Sequence, residues 1–178
     1  MILQSSKETM KLKQLTRDAV LTAIALTIFM VEAQIPSPVP LPGVKLGLAN
    51  IVTVFAVFAL GSKDAAMILA VRIFLGAVFS GNFGTILYSA AGGFLAILTT
   101  IGLRRLLTVR QLWVAGALSA IAHSVGQMAV AVAVTETPGL LVYLPAMIVC
   151  SVIAGLFTGL CAQFLLNRGG KLWKTFLK

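Results

Sequence analysis

The chain has 178 residues, of which 59% are hydrophobic and only 11% are charged. A soluble domain averages about 25% charged residues, so this composition excludes a soluble globular protein and predicts an all-α integral membrane protein. The net charge of +9 does not indicate nucleic-acid binding, because the basic residues are scattered between apolar runs and form no stripe interleaved with aromatic residues.

Six apolar segments follow one another along the chain and predict six transmembrane helices in a single domain. They cover roughly residues 18–35, 46–61, 65–80, 84–103, 112–134 and 141–166. Each approaches or reaches the ~20 residues that a helix needs to cross the hydrocarbon core. The second and third are short, which indicates little tilt or partial burial among the other helices. The six-helix domain is predicted at 15–167, between an amino-terminal extension at 1–14 and a basic tail at 168–178.

The distribution of basic residues predicts the orientation of the bundle. Twelve of the fourteen lysines and arginines lie in the amino-terminal approach, in the turns after the second and fourth spans, or in the tail. They are Lys7, Lys11, Lys13, Arg17, Lys63, Arg104, Arg105, Arg110, Arg168, Lys171, Lys174 and Lys178. Alternate spans place all of these on one side, so the positive-inside bias predicts that both termini are cytoplasmic.

The segment EAQIPSPVPLPGVKLGLAN, residues 32–50, joins the first two spans and is predicted to lie outside the cell. Its prolines recur at every second residue from Pro36 to Pro42, which favours a stiff, extended path. The amino end of the second span follows, with its free N–H groups and positive dipole end, together with Lys45 and Asn50. This arrangement predicts either a lid over a pocket for an anionic group or a rigid connector whose lysine reaches lipid phosphate.

Polar side chains inside the membrane give the candidate binding site, because an ionisable residue at a helix centre costs at least ~2.5 kcal/mol unless it faces a cavity or a partner. Most converge on the outer half of the bundle when depths are counted at about 1.5 Å per residue. The predicted substrate-binding residues are Glu32, Lys45, Asn50, Arg72, Asn82 and Gln127. Arg72 and Glu32 are a candidate ion pair, with a structural or a ligand-facing role. For His123, hydrogen-bonded packing is favoured.

The chemistry that the sequence lacks favours a non-enzymatic protein. No G-x-x-x-x-G-K-[ST] motif is present, so the chain does not drive transport with its own P-loop. Prenyl-chain elongation needs grouped carboxylates to hold Mg²⁺, whereas the two aspartates, Asp18 and Asp64, are far apart in the sequence. With a single histidine and no cluster at metal-ligand spacing, neither a metal site nor a cofactor is predicted.

Small residues at helical spacing predict close helix packing. Ser151, Gly155 and Gly159 recur every four residues on the sixth span. Gly84, Gly92 and Ala96 are predicted to share a face of the fourth. Ala19 and Ala23, at the cytoplasmic end of the first span, form a face on which a partner is expected to dock.

The stretches PLPGVKLGLANIV, ALGSKDAAMILAVRIFLGAVFSG and SAAGGFLA resemble the family called heptaprenyl diphosphate synthase component I, or Gx transporter family. The resemblance covers about residues 15–167. The wider superfamily includes the substrate-binding S components of energy-coupling factor transporters. It implies six helices, a pocket near the outer face covered by the first loop, and docking of a transmembrane scaffold on an Ala-x-x-x-Ala motif that Ala19 and Ala23 match.

These observations predict an S-component-like subunit of a prokaryotic plasma membrane. It would capture a small polar or anionic solute for uptake driven by partner scaffold and ATPase subunits. The alternative is a non-catalytic accessory protein of polyprenyl diphosphate or quinone biosynthesis. A third reading is a purely structural subunit of a membrane complex, which predicts no ligand.

Overall fold

The computed structural model describes residues 2–35 and 45–169, and the proline-rich run from Pro36 to Pro42 and the tail beyond 169 lie outside this range. The described residues form six α-helices, joined by turns and two short 3-10 helices. The α-helices are α1 (Ile2–Glu32), α2 (Asn50–Ala59), α3 (Ser62–Ser80), α4 (Thr85–Arg104), α5 (Leu112–Thr135) and α6 (Leu144–Arg168). They correspond in order to the six predicted segments. Residues 2–14, predicted as an extension, are continuous with α1.

Four stretches of the described chain are long and apolar enough to cross a membrane: Thr9–Glu32, Thr85–Arg104, Val109–Thr135 and Pro138–Arg168. They indicate a membrane-embedded protein. Neither α2 nor α3 is among them. The ten residues of α2 span only about 15 Å, half of the hydrocarbon thickness, and α3 carries Lys63, Asp64 and Arg72.

The short α2 is the central helix of the bundle. It contacts each of the other five helices. Val52, Val54, Phe55, Ala56 and Val57 are buried, so apolar residues are buried on all sides of the helix, as expected for an enclosed helix. The shortness of the second predicted span therefore reflects burial among the other helices. The other five helices surround α2 in the order α1, α3, α4, α5 and α6, and each contacts the next.

Glycines bring the backbones of α5 and α6 into direct contact. A Cβ atom at Gly116 of α5 would lie 2.7 Å from the Cα of Gly159, and one at Gly155 would lie 2.6 Å from the carbonyl oxygen of Gly116. Real Cβ atoms do not approach this closely, so only glycine permits this packing. The predicted packing role of Gly155 and Gly159 is confirmed.

The contact between α4 and α5 is similarly close, but it uses only part of the predicted small-residue face. Gly92 lies against His123, Ala96 is fully buried, and Gly126 of α5 approaches the Ala91 backbone. Gly84 takes no part, because it precedes α4 and is exposed, and a Cβ there would meet only the side chain of Asn82. The assignment of Gly84 to this face was wrong.

An ionic cluster joins α1 to the start of α3. Arg17 lies 3.0 Å from the Asp18 carboxylate and 2.5 Å from that of Asp64, and its side chain is 7% exposed. The two aspartates, far apart in the sequence, therefore meet at one guanidinium. The positive-inside reasoning treated Arg17 only as a cytoplasmic charge, whereas the fold uses it to fix one helix against another.

Candidate functional site

Glu32, the last residue of α1, holds the segment that leads into α2. Its side chain is buried, and its carboxylate accepts hydrogen bonds from the backbone N–H groups of Gly47 at 2.5 Å and Ala49 at 3.5 Å. Gly47 has a φ of +81°, in the left-handed region that glycine adopts without strain. A Cβ there would also lie 3.1 Å from Cδ2 of His123. The backbone conformation favours glycine at this position, and a Cβ atom would also crowd His123.

The candidate ion pair between Glu32 and Arg72 is not formed as a direct contact. Every nitrogen of Arg72 lies more than 4.0 Å from both carboxylate oxygens of Glu32, which is too far for an ion pair. The carboxylate oxygens are instead directed at the backbone of 47–49, which offers two N–H donors closer in sequence. Arg72 instead lies over the ring of Phe29, with its Cζ atom 5.5 Å from the ring centroid.

Two cations face one aromatic ring in the same region. The Nζ atom of Lys45 lies 3.5 Å from the centroid of the Phe29 ring, and the Cζ atom of Arg72 lies 5.5 Å from it. Phe29 is buried, and Gly76 of α3 leaves room for it, since a Cβ there would lie 2.8 Å from the ring. Cation–π attraction of this kind contributes about 0.5–2 kcal/mol per contact.

The charges in this region do not cancel. Lys45 and Arg72 carry two positive charges against the single negative charge of Glu32. Burial lowers the pKa of Lys45; Glu32 opposes this shift, and Arg72 adds to it. The region therefore carries a net positive charge and is partly desolvated, which suits an incoming anion.

Gln127 and His123 bring α5 to the same place. Gln127 is buried and accepts a hydrogen bond from the backbone N–H of Lys45 at 3.3 Å. His123, one turn earlier on α5, packs between Gly47 and Gly92. The segment that carries Lys45 is thus held through its backbone, by Gln127 at residue 45 and by Glu32 at residues 47 and 49.

Asn50, the first residue of α2, completes the group. Its Nδ2 donates to Oγ of Ser119 at 3.3 Å, and Ser119 donates to the Ala96 carbonyl at 3.2 Å. Its Oδ1 is buried without a hydrogen-bond partner in the described structure, as is Nδ1 of His123. We call Glu32, Lys45, Asn50, Arg72, His123 and Gln127 the polar cluster.

Asn82 lies apart from the polar cluster. It is exposed in the turn between α3 and α4, where its Oδ1 accepts a hydrogen bond from the N–H of Gly84 at 3.0 Å. This local bond is a turn interaction of the kind asparagine commonly makes. Five of the six predicted binding residues are brought together, and Asn82 is not.

The predicted docking residues Ala19 and Ala23 are both exposed on one face of α1. Thr16 and Thr27 extend the same face and bond to carbonyls of their own helix. The face is therefore lined by small side chains, and it stays a predicted partner surface.

Two open surface grooves and one partly enclosed hollow are among the cavities elsewhere in the described structure. One follows the carboxyl-terminal half of α6, one lies between α3 and α4, and one of about 230 Å³ lies between α1, α2 and α6. Their lining is mainly apolar, and none includes a member of the polar cluster. The site is thus defined by side-chain chemistry around residues 45–50, next to the segment outside the described range.

Sequence reasoning missed Phe29, Gly47 and Ser119 as parts of this site. Phe29 lies three residues before Glu32, which places both on one face of a helix, so this spacing was a usable signal. Ser119 carried no such signal, because serine inside an apolar helix is common and its bond to Asn50 depends on the fold.

Residues 21–165 of the chain match the family described as heptaprenyl diphosphate synthase component I. No curated protein and no solved structure is significantly similar to the chain. The match covers most of the sequence, including every member of the polar cluster. The chain therefore belongs to the heptaprenyl diphosphate synthase component I family of membrane proteins.

Proposed function

We propose that this protein is a substrate-binding membrane subunit, similar to an S component, that captures a small polar or anionic solute. The observation that carries the proposal is the pair of cations, Lys45 and Arg72, facing the buried Phe29 ring beside a single carboxylate. Buried charge is expensive unless it is paired. An anion bound here would neutralise the remaining positive charge and replace lost hydration.

The rest of the proposal concerns how the solute is delivered. The six helices would all be embedded in a prokaryotic plasma membrane, with both termini cytoplasmic and the polar cluster towards the outer face. Uptake would depend on transmembrane scaffold and ATPase subunits, with the scaffold docking at Ala19 and Ala23. The exposure of both alanines supports this role.

Binding measurements on the purified full-length chain test the site. Small molecules that co-purify are identified by mass spectrometry, and the affinity of the recovered anion is then measured. Lys45→Met and Arg72→Met remove the charges but keep aliphatic stems against Phe29. We expect each to weaken binding by about tenfold or more, since hydrogen bonds to charged groups contribute about 1.5–3 kcal/mol.

The matched control is Arg110→Met, because Arg110 is exposed and lies before α5. It should bind the anion as the wild type does. Folded Lys45→Met and Arg72→Met proteins with wild-type affinity would contradict the proposed site.

Anion binding should also weaken at alkaline pH because of Lys45. Burial lowers the pKa of Lys45, with Glu32 opposing and Arg72 reinforcing this shift. The ammonium is charged below this pKa and neutral above it, so binding should decline before the ordinary titration range of lysine is reached. Lys45→Arg, which keeps its charge, should hold its affinity over the same range. Titration calorimetry at increasing pH measures the effect; parallel declines in both proteins would contradict it.

The second candidate is a non-catalytic accessory role in polyprenyl diphosphate or quinone biosynthesis, which the family description favours. A diphosphate would also suit two cations, but it would be made inside the cell. Affinity purification distinguishes the two roles: recovery of a soluble prenyl synthase without ATPases supports the accessory role, whereas recovery of a scaffold with ATPases supports transport.

A further inference from the structure

Two of the three buried side-chain atoms that lack a hydrogen bond in the described structure belong to the polar cluster. They are Oδ1 of Asn50 and Nδ1 of His123, and the third is Oε1 of Gln163 on α6. Asn50 and His123 are 3% and 4% exposed, so water does not reach them freely. An unsatisfied buried group costs about 1–3 kcal/mol, so the unpartnered oxygen of Asn50 points to a bound group that completes it.

The neighbouring bonds fix which atom of Asn50 is free. The hydroxyl of Ser119 donates its proton to the carbonyl of Ala96, so its oxygen is left to accept. Only the Nδ2 of Asn50 has a proton to donate to that oxygen. The unpartnered atom of Asn50 is therefore the carbonyl oxygen, which needs a donor.

Asn50 lies next to the anion site, because its backbone N–H donates to the carbonyl of Gly47 at 2.9 Å. Nδ1 of His123 instead faces Gly92 of α4. His123 contacts Gly47, two residues from Lys45, and Gln127 on the next turn of α5 accepts the Lys45 N–H. One small solute in contact with Lys45 and Arg72 is thus in the neighbourhood of Asn50.

We infer that the solute is a small anion that also carries a hydroxyl or N–H group, which donates to Oδ1 of Asn50. This inference rests on the proposed function and specifies its substrate class. Lys45 and Arg72 attract the negative charge, and Asn50 selects for the donor. His123 keeps the packing role that the sequence favoured, with its ring between Gly47 and Gly92.

The experiment uses anions that differ only in their hydroxyl groups: glycerol 3-phosphate against propyl phosphate, and glycerate against propionate. Dissociation constants are measured by calorimetry on the purified full-length protein. The wild type should prefer the hydroxylated member of each pair by about tenfold or more, because the deoxy compound leaves Oδ1 of Asn50 unpaired.

Asn50→Leu should reduce this preference to about twofold or less, since leucine removes the acceptor. Gln163→Leu removes the unpartnered group outside the cluster and should keep the full preference. The wild-type comparison tests the inference even where a variant does not fold.

The outcomes separate this inference from the proposed function. Equal wild-type affinity for both members of each pair, lost in Lys45→Met, would overturn the donor requirement and leave the anion site standing. A preference that survives in Asn50→Leu would overturn the role of Asn50. Absence of wild-type binding to all four probes would contradict the anion site and the inference together.

Discussion

Replacing Gly155 by alanine is expected to lower the free energy of unfolding by about 3 kcal/mol, at the upper end of typical overpacking effects. The added methyl group would lie 2.6 Å from the carbonyl oxygen of Gly116 and 2.7 Å from the Cα of Ala117. Both are backbone atoms of α5, so no side chain can rotate away. The two helices must separate and lose the contact along their small-residue faces.

Gly102→Ala is the matched control, because Gly102 also lies within a helix, and a Cβ there meets nothing within 4 Å. Alanine is about 1 kcal/mol better than glycine in a helix interior, so this variant should be neutral or slightly more stable. Unfolding in mixed detergent micelles, followed by circular dichroism, compares the two. Equal stability of Gly155→Ala and wild type would show that α5 and α6 are not in backbone contact.

Replacing Arg17 by methionine should destabilise the protein by about 3–5 kcal/mol, the range found when one partner of a buried ion pair is removed. Arg17 is 7% exposed and pairs with both Asp18 and Asp64. Its loss leaves two carboxylates without their guanidinium at the junction of α1 and α3. The same detergent unfolding assay measures the effect.

Lys13→Met is the control for Arg17→Met, since Lys13 is an exposed basic residue of the same helix. It should change stability little. Combining Arg17→Met with Asp18→Asn and Asp64→Asn should recover most of the loss, because no unpaired buried charge remains. A triple variant as unstable as Arg17→Met alone would show that charge is not the cause.

The candidate site was predictable in composition and only partly in arrangement. Glu32, Lys45, Asn50, Arg72 and Gln127 could be chosen because polar groups are rare in apolar segments, and their depths along the helices follow from a fixed rise per residue. Asn82 met the same criterion but bonds within its own turn. Depth alone does not give the direction of a side chain around the helix. Glu32 was therefore predicted to pair with Arg72, whereas its carboxylate accepts hydrogen bonds from the backbone of 47–49.

The sequence by itself determined that this protein is embedded in a membrane and how many α-helices it forms. Hydropathy and element length depend on local composition, so they are readable without a fold. Only the tertiary structure decided that α2 is enclosed by the other helices, that Asp18 and Asp64 meet at Arg17, and that Lys45 and Arg72 share Phe29. These contacts join residues that are distant in sequence. They depend on how the helices rotate and pack, which is set by close contacts at glycines and is not encoded in local periodicity.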